Sequence, residues 1–242
     1  MKRVLSVILS LIIACSCLTC VFAAGTKEVS IEVTYHQTEA RSILGRINEL
    51  RTSADAWYWN RDNTTKTYCT GLSALEYDYE LEKFAMLRAA EIALNFSHTR
   101  PDGTLSVDGF TGTTRAENIA AGYTSAEMVQ EAFEEVNDNY SGQGHRRNML
   151  NSSITAVGIA CAEYNGRRYW IQEFRAPTGS TVETVANDGL TTVTVTVSDG
   201  GSAPGDTQDN QDEDGGTNWF DAIIAFFRSI IDFFIMLFNS FN

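Results

Sequence analysis

The hydrophobic positions of this chain change period along its length, and each change predicts an element. Ile43, Leu44, Ile47 and Leu50 recur on one helical face and predict a first helix. Asp78 is a good N-cap for a longer helix carrying Leu81, Phe84, Ala85, Ala89, Ile92 and Phe96 on one face, which must stop before Pro101. Val129, Ala132, Phe133 and Val136 predict a third helix, with Thr124 and Glu127 set as a capping box. A short helix is expected over 145–150. The period then drops to two. Val157, Ile159 and Cys161 alternate with small residues, and Trp170, Gln172 and Phe174 alternate on a second run. Between them, Asn165-Gly166 is a two-residue hairpin turn. Helices followed by an antiparallel hairpin give an α+β domain over 39–176.

The flanks read differently. Lys2-Arg3, an apolar run and Val21-Phe22-Ala23 form a secretory signal peptide over 1–23, with Cys15 in a possible lipoprotein box as the alternative. Residues 177–198 suggest an extra β-hairpin turning at Asn187-Asp188-Gly189, either extending the sheet or standing apart from it. Residues 199–217, rich in Gly, Asp, Gln and Ser, read as an acidic disordered linker. Residues 218–242 are apolar except for Asp221, Arg228, Asp232 and Asn239, which share one stripe of a helix. A hydrophobic amphipathic helix of that kind is expected to meet a membrane surface, lying in it rather than spanning it, with a spanning helix and a packing or oligomerisation helix as the alternatives.

The net charge of -13 removes nucleic acid from the expected partners, because phosphate binding needs a basic surface. Export leaves Cys69 and Cys161 as a pair that permits one disulfide, with two buried free thiols as the alternative.

Candidate chemistry gathers in three segments: Phe96-Ser97-His98, Ala116-Glu117-Asn118-Ile119-Ala120 and Gly144-His145-Arg146-Arg147-Asn148. Two of the three histidines lie here. If the fold brings His98, Glu117 and His145 together, they form a polar cleft able to hold a divalent metal, zinc first, or to shuttle a proton. His98 follows one helix end and His145 opens another, so the helix dipoles favour charged imidazole at the first and neutral imidazole at the second. No nucleophile stands out and no Gly-x-Ser-x-Gly elbow exists, so binding is favoured over catalysis. His36 is expected to be solvated, outside the core. Trp57, Tyr58 and Trp59 read as loop aromatics anchored on the core.

These segments, with Ile47-Asn48-Glu49-Leu50-Arg51, Leu75-Glu76-Tyr77-Asp78 and Tyr169-Trp170-Ile171-Gln172-Glu173-Phe174, resemble the CAP family of cysteine-rich secretory, antigen 5 and pathogenesis-related proteins. Its bacterial secreted members, with their SCP-like extracellular domain, are the nearer likeness. The resemblance covers roughly Ile43 to Phe174. It implies an α-β-α sandwich with a short antiparallel sheet, and a cleft of two histidines and one or two glutamates. His98, Glu117 and His145 match three of those positions. The second glutamate would fall at Val136, where the chain departs from the pattern; Glu134 or Glu135 substitutes only if the helix presents it inward. The resemblance allows a lipid or peptide ligand and an extracellular, envelope-attached location. A peptidase-like hydrolase built on His98, Glu117 and His145, or an envelope protein with a vestigial cleft, are the alternative functions.

Overall fold

The computed structural model describes residues 25–199. The expected signal peptide, the alternative lipoprotein box at Cys15, nearly all of the expected acidic linker and the expected C-terminal amphipathic helix lie outside the described residues. Among those described, no helix is long and apolar enough to cross a membrane.

Strand β1 (Thr26–Tyr35) is followed by helices α1 (Gln37–Arg41) and α2 (Ile43–Thr52), then by a small hairpin of β2 (Trp57–Trp59) and β3 (Lys66–Tyr68). Next come β4 (Glu76–Tyr77), α3 (Tyr79–Leu94), a single 3-10 turn, β5 (Thr114–Ala121), α4 (Ala126–Glu134) and α5 (Gly144–Met149). Strands β6 (Ala156–Tyr164), β7 (Arg167–Ala176) and β8 (Leu190–Ser198) complete the order. The main sheet runs β5-β7-β6-β1-β8 and is antiparallel along that path, with β4 added parallel to β6.

Both faces of the sheet are covered. Val157, Ile159, Cys161, Trp170 and Phe174 join residues of α2, α4 and α5 in one core. Their neighbours Ala160, Ala162 and Ile171 join Ala85, Ala89, Ala90 and Ile92 of α3 in a second core. Alternation along a strand sends successive side chains to opposite faces, so β6 and β7 each serve both cores. The small residues of β6 bring α3 close. A Cβ on Gly158 would lie 2.4 Å from the Glu82 nitrogen and 2.5 Å from the Leu81 carbonyl carbon.

Local signals explain most boundaries. The Asp78 carboxylate caps α3 by accepting from the N–H groups of Glu80 and Leu81, each at 3.1 Å. Asn165 and Gly166 turn β6 into β7 with φ of 51° and 75°, the left-handed pair that a tight hairpin needs. The cap of α4 is Ser125, not Thr124: its hydroxyl accepts from Met128 N–H at 3.3 Å, so the expected Thr124–Glu127 box is not formed.

Four expectations are settled differently by the structure. The hairpin expected over 177–198 is absent, because β8 pairs with β1 from Thr26↔Ser198 to Thr34↔Leu190. The sheet therefore extends past both ends of 39–176, and the Gly25 carbonyl accepts from Asp199 N–H at 2.6 Å. Trp57, Tyr58 and Trp59, expected in a loop, form strand β2 of the β2–β3 hairpin, with Trp57 buried as the anchoring reading requires. Cys69 and Cys161 are free thiols, Cys69 half-buried and Cys161 buried in β6, so the disulfide alternative gives way to the free-thiol one. His36 is not simply solvated: its Nε2 lies 3.1 Å from Glu163 Oε2.

Candidate functional site

Strand β5 is an edge strand, and its consecutive residues Glu117 and Asn118 face opposite layers. Glu117 points toward α3. There Arg88, wholly buried, donates from Nε to Glu117 Oε2 at 2.8 Å and from Nη1 to Glu91 Oε2 at 2.7 Å. Glu91 in turn takes Arg100 Nη2 at 2.6 Å. Arg88 Nη2 also donates to the Ser97 carbonyl at 2.9 Å, fixing the loop that carries His98. His98 Nδ1 meets Glu117 Oε1 at 2.7 Å, with its side chain 59% exposed. His98 lies beyond the last turn of α3, so this carboxylate, rather than the helix end, is its immediate electrostatic neighbour.

Asn118 points the other way. Its amide donates to Gln172 Oε1 at 2.8 Å, and Gln172 Nε2 donates to Gln130 Oε1 at 2.9 Å. Asn148 of α5 donates to Asn118 Oδ1 at 2.8 Å and to the Glu117 carbonyl at 3.3 Å. Asn118 Nδ2 reaches the His145 carbonyl at 3.3 Å. Through the half-buried Asn148, this network ties α5, and with it His145, to the same two residues of the edge strand.

The His145 ring does not bond Glu117. Its Nδ1 pairs closely with Glu135 Oε1, while Glu135 Oε2 accepts Arg146 N–H at 3.1 Å in the first turn of α5. The Phe133 ring meets the imidazole edge-on at 5.0 Å. Glu135 reaches this position because it ends α4 in the left-handed conformation, φ 46°. Val136 is exposed outside the helix, and Glu134 turns toward Arg46. The carboxylate that the sequence pattern lacks at Val136 stands one residue earlier.

Glu173 is the residue that sequence reasoning missed. It lies directly opposite Glu117 in the β5–β7 register and is fully buried. Its two oxygens meet no donor among the described residues. Burial, reinforced by the neighbouring Glu117 charge, pushes its carboxyl well above the usual range, so it holds its proton. Burial would raise Glu117 too, but hydrogen bonds from His98 and Arg88 outweigh it and hold that carboxyl at about 2. The two arginines and the two ionised glutamates then balance, with a neutral Glu173 beside them.

The three expected site residues thus form two units. His98 and Glu117 are in contact, whereas His145 has its own carboxylate, Glu135. Among the described residues no three His, Cys, Asp or Glu side chains are grouped to hold a metal ion. The three or four protein ligands of an ordinary zinc site are therefore not assembled. What the site does offer is two imidazoles, each backed by a carboxylate at Nδ1, the arrangement that orients ligating histidines.

The sequence model of the cysteine-rich secretory protein (CAP) family matches residues 44–174, and the chain belongs to that family. YkwD of Bacillus subtilis (strain 168) is 30% identical over 111 residues, a match spanning 43% of this chain and 40% of YkwD. Among solved structures, NaASP2 with Zn2+ is similar at 19% identity and a TM-score of 0.45, over 64% of this chain and 86% of that one. An outer surface protein from Borrelia burgdorferi is similar at 20% identity and a TM-score of 0.40, over 55% of this chain and 89% of that one.

Proposed function

We propose that this chain is an exported, envelope-associated CAP-domain binding module, and that its ligand is held by the outward ring nitrogens of His98 and His145. The observation that carries this reading is the pairing of each ring, at Nδ1, with its own carboxylate. An Nδ1–H donated to a carboxylate leaves Nε2 as a lone-pair acceptor. Such an atom takes a divalent cation, zinc first, or an N–H or O–H of a small peptide or lipid headgroup.

Binding is favoured over hydrolysis because a nucleophile must sit within hydrogen-bond reach of its base. No hydroxyl or thiol among the described residues bonds either ring. Ser97, adjacent to His98, accepts Thr99 N–H at its hydroxyl oxygen at 3.0 Å and makes no bond to the ring. Export rests on the signal sequence over 1–23, and attachment on the amphipathic character of 218–242.

The test is calorimetric titration of zinc into the purified chain and into His98→Ala, His145→Ala and the double variant. The expected result is saturable binding that the double variant loses. Equal binding by the double variant removes the histidines as the metal site. A peptide library cleaved by the native chain and not by the double variant would favour the hydrolase. Flotation with vesicles, with and without residues 218–242, tests the attachment.

A further inference from the structure

A separate hollow of about 560 Å3 opens between the β2–β3 hairpin and the C-terminal end of α5. None of His98, Glu117, Glu135 or His145 lines it. Its size falls within the range of about 300–1,000 Å3 typical of small-molecule sites.

The hairpin wall is held in place from behind. Arg146, buried, donates to the Trp57 carbonyl and lies over the Trp57 ring at 4.9 Å. Gln143 Oε1 accepts Trp59 N–H at 2.7 Å, and Lys66 Nζ sits over the Trp57 ring at 3.3 Å. On this fixed hairpin Tyr58 is half-buried, and Tyr68 is 60% exposed at the hollow. An open aromatic ring on a braced strand is a preformed stacking platform.

The remaining lining decides the chemistry. Thr70, Asn151 and Ser152 contribute polar side chains. Asn151 Oδ1 accepts Ser153 N–H at 2.8 Å, which orients its amide and leaves Nδ2 as a donor. Among the described residues the hydroxyls of Tyr68, Thr70 and Ser152 make no hydrogen bond to protein. Apolar atoms are too few for a lipid chain, with Leu72, Leu150 and the Cys69 thiol as the main ones. The cation of the lining, Arg147, lies over the Tyr140 ring at 4.2 Å and donates to the Tyr140 carbonyl. With that cation engaged and a net charge of -13, the hollow is poorly suited to phosphate or carboxylate. Two amides line the hollow: Asn148, whose Nδ2 is already bonded to Asn118 Oδ1 and the Glu117 carbonyl, and Asn151. Tyrosine faces beside hydroxyls and the Asn151 amide suit a ligand with apolar C–H faces and neutral hydroxyl edges.

We propose that this hollow binds a neutral oligosaccharide, one sugar ring stacked on Tyr68 and its hydroxyls bonded by Asn151 and Ser152. The test is titration of the purified chain with maltotriose and with tri-N-acetylchitotriose, in metal-free buffer, by calorimetry and saturation-transfer NMR. At least one sugar binds saturably. Tyr68→Ala weakens that binding by roughly three- to tenfold, the loss of one aromatic stack, whereas Tyr68→Phe retains it. Tyr68 is exposed, so the unfolding midpoint of Tyr68→Ala stays near that of the native chain; Ser152→Ala is the second variant and weakens binding too. Saturable binding of neither sugar overturns the proposal, as does native-like affinity in Tyr68→Ala. Because no metal is present, either outcome is read separately from the zinc titration of the histidines.

Discussion

Glu173 lies directly across the β5–β7 pair from Glu117, and the two carboxyl groups are held in opposite protonation states. Two buried carboxylates side by side repel, and Arg88 serves only Glu117 and Glu91 among the acids described. The pair therefore keeps one proton, on the residue that no described arginine reaches.

This pair gives stability a pH dependence with two signs. Folded Glu173 keeps a proton that an unfolded glutamate loses near 4.5, so stability falls as pH rises above that value toward the folded group's own ionisation. Glu117 acts oppositely: its contribution is full above 4.5 and is lost as pH falls toward about 2. Glu173→Gln keeps the shape and the donor without the titration. Urea unfolding over a pH series is expected to show the alkaline-side decline in the native chain and a flatter profile in Glu173→Gln, with the acid-side loss unchanged. Superimposable alkaline limbs would contradict the assignment.

Arg88→Met removes the cation shared by Glu91 and Glu117. Leaving buried charges without their partner costs about 3–5 kcal/mol. Denaturant titration is the measurement, and a loss below about 1 kcal/mol, the worth of an exposed pair, would mean the cluster is solvated.

Glu135→Gln preserves an acceptor for Arg146 N–H while removing the charge behind His145. Loss of such a supporting partner lowers metal affinity by roughly 10–100-fold where the histidine is a ligand. Zinc titration of the variant reads this directly. Unchanged affinity would show that His145 does not act through Glu135.

Gly158→Ala forces a methyl group into the backbone of α3. Overpacking of this kind costs about 1–3 kcal/mol. The thermal midpoint is expected to drop by several degrees, more than for alanine at the open Gly45, where the added Cβ meets nothing within 4 Å.

Both described cysteines are expected to titrate as thiols once the unreduced chain is unfolded. In the folded protein Cys69 reacts first, because burial pushes the Cys161 thiol far up and shields it. A chain with no titratable thiol at either position, unfolded without reductant, would show that the bridge forms after all.

The elements with strong periods were legible: α2, α3 and the β6–β7 hairpin fall where Ile47, Leu81 and Asn165-Gly166 place them. Strand β1 carries a period-two signal, Val29, Ile31 and Val33 alternating with Glu28, Ser30 and Glu32, but its pairing was not legible, because its partner β8 lies far along the chain. The site was legible in its histidines but not in all its acids. The alternation of Trp170, Gln172 and Phe174 marks one buried face and leaves Glu173 on the other, which reads as solvent unless α3 covers it. The reach of Glu135 depends on a left-handed backbone that a glutamate does not advertise. Arg88 and Glu91 look like a surface i,i+3 pair until the sheet closes over them.

The bond between Gly25 and Asp199 brings both ends of the described domain out at one corner of the sheet. A mechanical load applied between those ends would part β1 from β8 like a zip, rung by rung from Thr26 and Ser198, instead of shearing every rung together. A covalent join there would make a ring of the domain beside Ser198, whose N–H donates to the Pro101 carbonyl of the loop that follows His98 at 2.9 Å.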